Sequence, residues 1–150
     1  MDVDVLNILI VEDNLMIADQ VEACLIKNGY NVCGIASDVS RGLTLYNLHK
    51  PDLVILDLRL AHGDLGTQMA AQLPTSDKVG VLYVTASSCE IALSNDDGHA
   101  CLSKPYIVAD LLRSVRVVFD LVDTGTAKPP FPAGFHLLNP SLSANQLAAW

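Results

Sequence analysis

Five side chains in this sequence stand where short apolar runs end, and together their types suit one chemistry. Glu12 and Asp13 follow Ile8-Leu9-Ile10-Val11, Asp57 follows Leu53-Val54-Ile55-Leu56, Thr85 closes the run from Val79 to Val84, and Lys104-Pro105 follows Ala100 to Ser103. Three carboxylates brought together without a cation repel one another and hold their protons, so the set implies a bound divalent ion. Oxygen ligands point to magnesium, which with few protein oxygens keeps several waters and a position for a phosphoryl oxygen. Taken singly, most of these residues have ordinary uses: Asp13 or Asn14 as a helix cap, Thr85 as a strand end, Lys104 as a solvated cation. Asp57 is harder to place that way, because a carboxylate directly after four apolar residues is costly unless something pairs with it.

The elements that would position these residues alternate along the chain. Asn7 to Val11 is short, rich in β-branched residues and stopped by Glu12-Asp13-Asn14, as a strand buried on both faces should be. Apolar residues at helical spacing follow from Leu15 to Lys27, with Asn28-Gly29 as the stop. Val32 to Ala36 is a second strand, and a helix capped by Ser37 or Asp38 runs on to Lys50-Pro51, since the residue before proline avoids helical angles. A third strand spans Leu53 to Leu56 and a third helix Gly66 to Leu73, before Pro74; the fourth strand is Val79 to Val84. Only Ser88 to about Ser94 looks helical next, ahead of the turn cluster Asn95-Asp96-Asp97-Gly98. Ala100 to Ser103 and a helix from Val108 to Val122 complete five βα units. The fold class is α/β, a doubly wound sandwich around a five-stranded parallel sheet, whose chemistry belongs just past the carboxyl ends of the strands.

Composition narrows the partners. The 150 residues suit one domain, with residues 1–122 as its body and 123–150 as a proline-rich tail, in which Asn139-Pro140 has the order of a short helix start. Mean hydropathy is +0.35, yet charged residues interrupt every apolar stretch before it reaches membrane-spanning length, and the acidic start Met1-Asp2-Val3-Asp4 is unlike a signal peptide. No membrane and a cytoplasmic address are the expectations. Seventeen Asp and Glu against nine Lys and Arg, a net charge of -8, argue against nucleic acid as a direct ligand. Cys24, Cys33, Cys89 and Cys101 form no C-x-x-C pair, so they read as buried thiols rather than a disulfide or zinc framework.

Residues 5–122 resemble a response-regulator receiver domain, the phosphoacceptor unit of two-component signalling. The resemblance rests on Ile8-Leu9-Ile10-Val11-Glu12-Asp13-Asn14, on Pro51-Asp52-Leu53-Val54-Ile55-Leu56-Asp57-Leu58-Arg59-Leu60, on Val84-Thr85-Ala86 and on Lys104-Pro105-Tyr106. It implies a flavodoxin-like sheet of order 2-1-3-4-5. It also implies that Asp57 accepts a phosphoryl group from a sensor histidine kinase or phosphotransfer protein, and that Glu12, Asp13, Asp57 and the backbone carbonyl of Arg59 hold Mg2+. Thr85 and Lys104 would meet phosphoryl oxygens, Pro105 would follow a cis peptide bond, and Arg59 and Ser87 would tune the lifetime of the phosphoryl group. The implied activity is slow autodephosphorylation rather than turnover of a separate substrate.

The sequence also departs from the family. The aromatic residue usual three positions before the lysine is replaced by Cys101, while Tyr106 matches a different family position. This resembles a stand-alone class of receivers without the aromatic switch. With at most 28 residues after Val122, no output domain is expected, so a downstream protein partner, or onward transfer of the phosphoryl group, should carry the signal. Val117 and Leu121 lie off the main stripe of the last helix and offer a face for a homodimer. The alternative reading is a phosphorylation-independent pseudo-receiver acting as an interaction module, opposed by the intact set of five site residues. A dehalogenase-like phosphatase would need a second acid where Arg59 stands, and a flavin binder would not place Glu12-Asp13 in its first loop.

Overall fold

The computed structural model describes residues 5–86, 89 and 93–143. Strands β1 (Asn7–Val11), β2 (Asn31–Ala36), β3 (Leu53–Leu56), β4 (Gly80–Thr85) and β5 (Ala100–Ser103) run parallel, and β6 (Phe135–Leu137) joins antiparallel to β5. The sheet order is β2-β1-β3-β4-β5-β6, so the expected five-stranded parallel sheet is present and extended by one strand. The helices are α1 (Leu15–Lys27), α2 (Val39–His49), α3 (Gly66–Ala70) and α4 (Val108–Thr124).

Alternation along the strands sorts the core into two layers, because successive side chains point to opposite faces. Ile8, Ile10, Leu53, Ile55, Leu82, Val84 and Leu102 pack with Ala18, Val21 and Leu25 of α1 and with Leu111, Val115 and Val118 of α4. On the other face, Leu9, Val11, Val54, Leu56, Val81 and Tyr83 meet Leu45 and Tyr46 of α2 and Met69 of α3. Local signals fix the helix ends. The Asn14 side chain accepts from the Met16 and Ile17 amides to start α1, Asp38 accepts from the Arg41 amide to start α2, and Lys50 ends α2 in the left-handed region just before Pro51. Helix α3 is shorter than expected, ending at Ala70 with turns to Leu73. The helix expected over residues 88–94 falls largely outside the described residues.

Three expectations are corrected. The segment after α4 is not a free tail as far as Ser143: Ala127 and Phe135 are buried, the Phe131 ring packs tilted against that of Phe135, and β6 closes the edge of β5. Among the described residues its helix-start signal gives a one-turn 3-10 helix, Pro140–Leu142, capped by Asn139; Leu147 and Trp150 lie outside the described residues. Because this segment covers the outer side of α4, Val117 and Leu121 are core residues, 0% and 4% exposed, and offer no face to a second copy. Finally, Cys89 and Cys101 are joined in a disulfide rather than packed as separate thiols. Their separation of twelve residues carries no local signal, and only the fold of the β4–β5 connection brings them together. Cys24 and Cys33 are free and half-buried. Among the described residues no helix is long and apolar enough to cross a membrane.

Candidate phosphoacceptor site

Each site residue is placed by the end of a parallel strand, where the ladder continues for one more hydrogen bond. The Glu12 amide donates to the Ala36 carbonyl (2.8 Å), the Asp57 amide to the Val11 carbonyl (2.9 Å) and the Lys104 amide to the Thr85 carbonyl (2.8 Å). The backbone is thereby fixed at the point where each side chain leaves the sheet. Thr85 ends β4 and is 2% exposed. The Lys104–Pro105 peptide is cis, as expected.

Lys104 is the hub. Its Nζ donates to Glu12 Oε1 at 2.9 Å and to Asp57 Oδ2 at 3.2 Å, with the three side chains 21%, 8% and 13% exposed. Burial alone would lower the lysine pKa, but the two carboxylates more than reverse this and hold it above the usual lysine value. The second oxygen of each carboxylate takes a backbone donor: Glu12 Oε2 accepts from the Asn14 amide (3.1 Å), and Asp57 Oδ1 accepts from the Arg59 amide (3.4 Å). Arg59 therefore lies beside Asp57, on the turn after β3, as expected.

Asp13 is exposed, and because Asn14 caps α1, Asp13 is not spent on the helix. One oxygen from each of Glu12, Asp13 and Asp57 lies within 4.8 Å of the others. Desolvation, followed by a shared hydrogen bond and charge repulsion from Glu12, pushes the Asp13 pKa up. That combination, hard oxygen donors on one side of a crevice and an acid whose ionisation is resisted by its neighbour, fits a small divalent cation.

One positioning residue was not legible as such. Gly66 opens α3, donates its amide to the Leu58 carbonyl (2.8 Å), and lies so close to the Asp57 carbonyl and the Leu56 side chain that a Cβ there would overlap both. The sequence shows Gly66 only as a helix start. Its role appears once β3, the turn after it and α3 are seen to fold over one another.

A parallel sheet with acids after β1 and β3, a threonine at the end of β4 and a cis-proline lysine after β5 defines the receiver class of signalling domain. The chain belongs to the response regulator receiver domain family, which matches residues 8–116. It is 31% identical over 114 residues to the transcriptional regulatory protein PdtaR of Mycobacterium tuberculosis, covering 74% of this chain and 55% of that protein. The chain spans about half the length of the curated relatives it matches. Its fold matches a CheY-like receiver domain protein of Methanospirillum hungatei (TM-score 0.73, 24% identity, 81% of this chain and 99% of that one). It also matches the anti-anti-sigma factor PhyR of Bartonella quintana (TM-score 0.61, 25% identity, 70% and 44%).

Proposed function

We propose that this receiver domain accepts a phosphoryl group on Asp57 from a phosphohistidine of a sensor kinase or phosphotransfer protein and passes the signal to a protein partner. The observation that carries the reading is the pairing of Lys104 with Glu12 and Asp57 beside the exposed carboxyl of Asp13. In the transfer, Asp57 Oδ attacks phosphorus as the nitrogen–phosphorus bond breaks, and the departing imidazole takes up a proton. Glu12, Asp13, Asp57 and the Arg59 carbonyl would hold Mg2+, which supplies charge neutralisation on the phosphoryl oxygens. Lys104 leaves its bond to Asp57 and meets an oxygen of the incoming group, and Thr85 donates to another. Hydrolysis of the acyl phosphate is slow.

A macromolecular phosphodonor is favoured by the surroundings. Leu15 and Met16 at the start of α1, and Ile107 and Val108 at the start of α4, are 64%, 74%, 65% and 56% exposed on the same edge of the sheet as Asp57. Exposed apolar residues gathered at a reactive edge suit a protein surface better than a small ligand. The similarity to PhyR, an anti-anti-sigma factor, supports output through a protein partner.

The test is phosphorylation by acetyl phosphate with Mg2+, followed by intact mass. One phosphoryl group should be added, lost on chelation before the reaction and absent in Asp57→Asn. Undiminished labelling of Asp57→Asn would move the acceptor elsewhere, and labelling that ignores Mg2+ would remove the metal from the reading.

A further inference from the structure

The disulfide between Cys89 and Cys101 lies outside the acid cluster but is built into the same two chain segments. Cys89 is four residues beyond Thr85, and Cys101 is three residues before Lys104. Their Cα atoms are 6.1 Å apart, within the reach of an unforced bridge. The bond therefore closes the connection between β4 and β5 into a ring whose two exits lead directly to the hydroxyl and the ammonium of the site.

Both sulfurs lie in the apolar layer formed by Val81, Tyr83 and Leu93, with Cys89 3% and Cys101 0% exposed. Such a layer accepts two thiols as readily as one bridge, because a reduced cysteine packs as a small apolar side chain. Other contacts secure the far end of the connection whatever the sulfurs do. The Tyr83 hydroxyl donates to the Asp97 carbonyl (2.8 Å), the His99 amide donates to the Val81 carbonyl (3.1 Å), and the Val81 amide donates to His99 Nδ1 (2.9 Å). Among the described residues, the link from the near end of the connection across to β5 runs through Cys89.

We propose that Cys89 and Cys101 are a reversible thiol modification site, exchanging with a small-molecule disulfide such as oxidised glutathione, and that the bridge sets how freely the β4–β5 connection moves. In oxidation the Cys89 thiolate attacks one sulfur of the small disulfide and expels its partner as a thiol. The Cys101 thiolate then attacks Cys89 Sγ in the mixed disulfide and expels the second thiol. Two electrons and two protons pass from the protein to the small disulfide, and reduction runs the same steps backwards. Cys24 and Cys33 are free in this structure and lie outside the bridged pair. The consequence for signalling rests on the phosphoacceptor reading of Asp57; the redox site does not.

The experiment equilibrates the folded full chain in buffers of varied reduced-to-oxidised glutathione ratio, quenches with acid, alkylates in denaturant and counts modified cysteines by mass. Modification should rise from two cysteines to all four as the ratio increases, reversibly, with peptide mapping placing the protected pair at Cys89 and Cys101. Hydrogen exchange over residues 86–94 should be about tenfold or more faster in the reduced protein, because a cross-link closing a short loop is lost, while the His99 amide, held by the Val81 carbonyl, should keep its rate. Cys89→Ala and Cys101→Ala should each exchange at the reduced rate in both buffers. Four modified cysteines at every ratio, protection that yields only on unfolding, or equal exchange in the two states would each overturn the proposal. If neither redox state takes up a phosphoryl group, the phosphoacceptor reading fails while the redox result stands.

Discussion

Replacing Lys104 by Met removes one positive charge from among carboxylates that the fold holds in place, and the outcome depends on whether Mg2+ is there to replace it. At 2.9 and 3.2 Å, each contact is worth roughly 5–6 kcal/mol of gross attraction at an effective dielectric of about 20. Much of this offsets the desolvation of the charges, and with the lysine one-fifth exposed the net loss should be about 2–3 kcal/mol, the lower side of what breaking a buried pair costs. For a domain of this size that is a fall in Tm of roughly 4–12 °C. The assay is thermal unfolding followed by circular dichroism in EDTA and in excess MgCl2. In EDTA the variant should melt well below the wild type. Mg2+ should raise the variant by more than it raises the wild type, because the cation now meets three carboxylates with no ammonium among them. The same variant should lose most of its phosphorylation by acetyl phosphate despite binding metal at least as well. Equal melting in EDTA, or an equal Mg2+ increment for both proteins, would refute the claim that Lys104 holds the acid cluster together.

Gly66→Ala should cost about 1–3 kcal/mol by overpacking and slow phosphorylation with the Asp57 carboxylate intact, because the new methyl group displaces the Asp57 carbonyl; denaturant midpoints and labelling rates check the two effects separately. His99 is held neutral by burial, with Nδ1 accepting from the Val81 amide. Its lowered pKa means the folded state binds fewer protons than the unfolded one, so its contribution is present above about pH 6.5 and is lost as pH falls through the lower folded value. Urea midpoints should therefore drop between pH 7.5 and 5.5, and less so in His99→Gln. Truncation after Gly125 exposes Val117, Leu121 and the β5 edge and removes the buried Phe135. It should lower Tm and produce concentration-dependent association by light scattering; an unchanged, monomeric product would show that the tail contributes little.

How far the sequence discloses this molecule follows from the range of each interaction. The five parallel strands and α1, α2 and α4 were legible because hydrophobic period, caps and breakers act over a few residues: Asn14, Asp38 and Pro51 mark helix ends in the sequence and do so in the structure. Glu12, Asp57, Thr85 and Lys104 were legible because strand ends in this architecture converge. What was not legible is pairing across distance. Phe135–Leu137 has no alternation long enough to identify a strand, and it becomes one only because the edge of β5 is there to receive it. Val117 and Leu121 look like a second, exposed stripe until that segment covers them. Cys89 and Cys101 are twelve apart in a stretch whose own local signals are weak, so only the folded connection reveals their proximity.

Two of these features, the sixth strand and the disulfide, meet at β5. Cys101 and Leu102 of β5 pair on one side with Tyr83 and Val84 of β4, and on the other side with His136 and Phe135 of β6. One face of Cys101 carries the disulfide, and three residues on stands the lysine that binds both Glu12 and Asp57. A strand paired on both sides cannot itself offer an edge to a partner by strand addition; β6 is the edge strand on this side of the sheet. Under the proposed function, movement arising at Asp57 would be transmitted through what leaves the strand ends, Thr85 into the connection and Lys104 into the start of α4. The apolar residues exposed at Ile107 and Val108 stand at that second exit. Under that reading the route from site to partner would run along helices and loops at the carboxyl end of the sheet, and the bond between Cys89 and Cys101 sits across the first of the two exits.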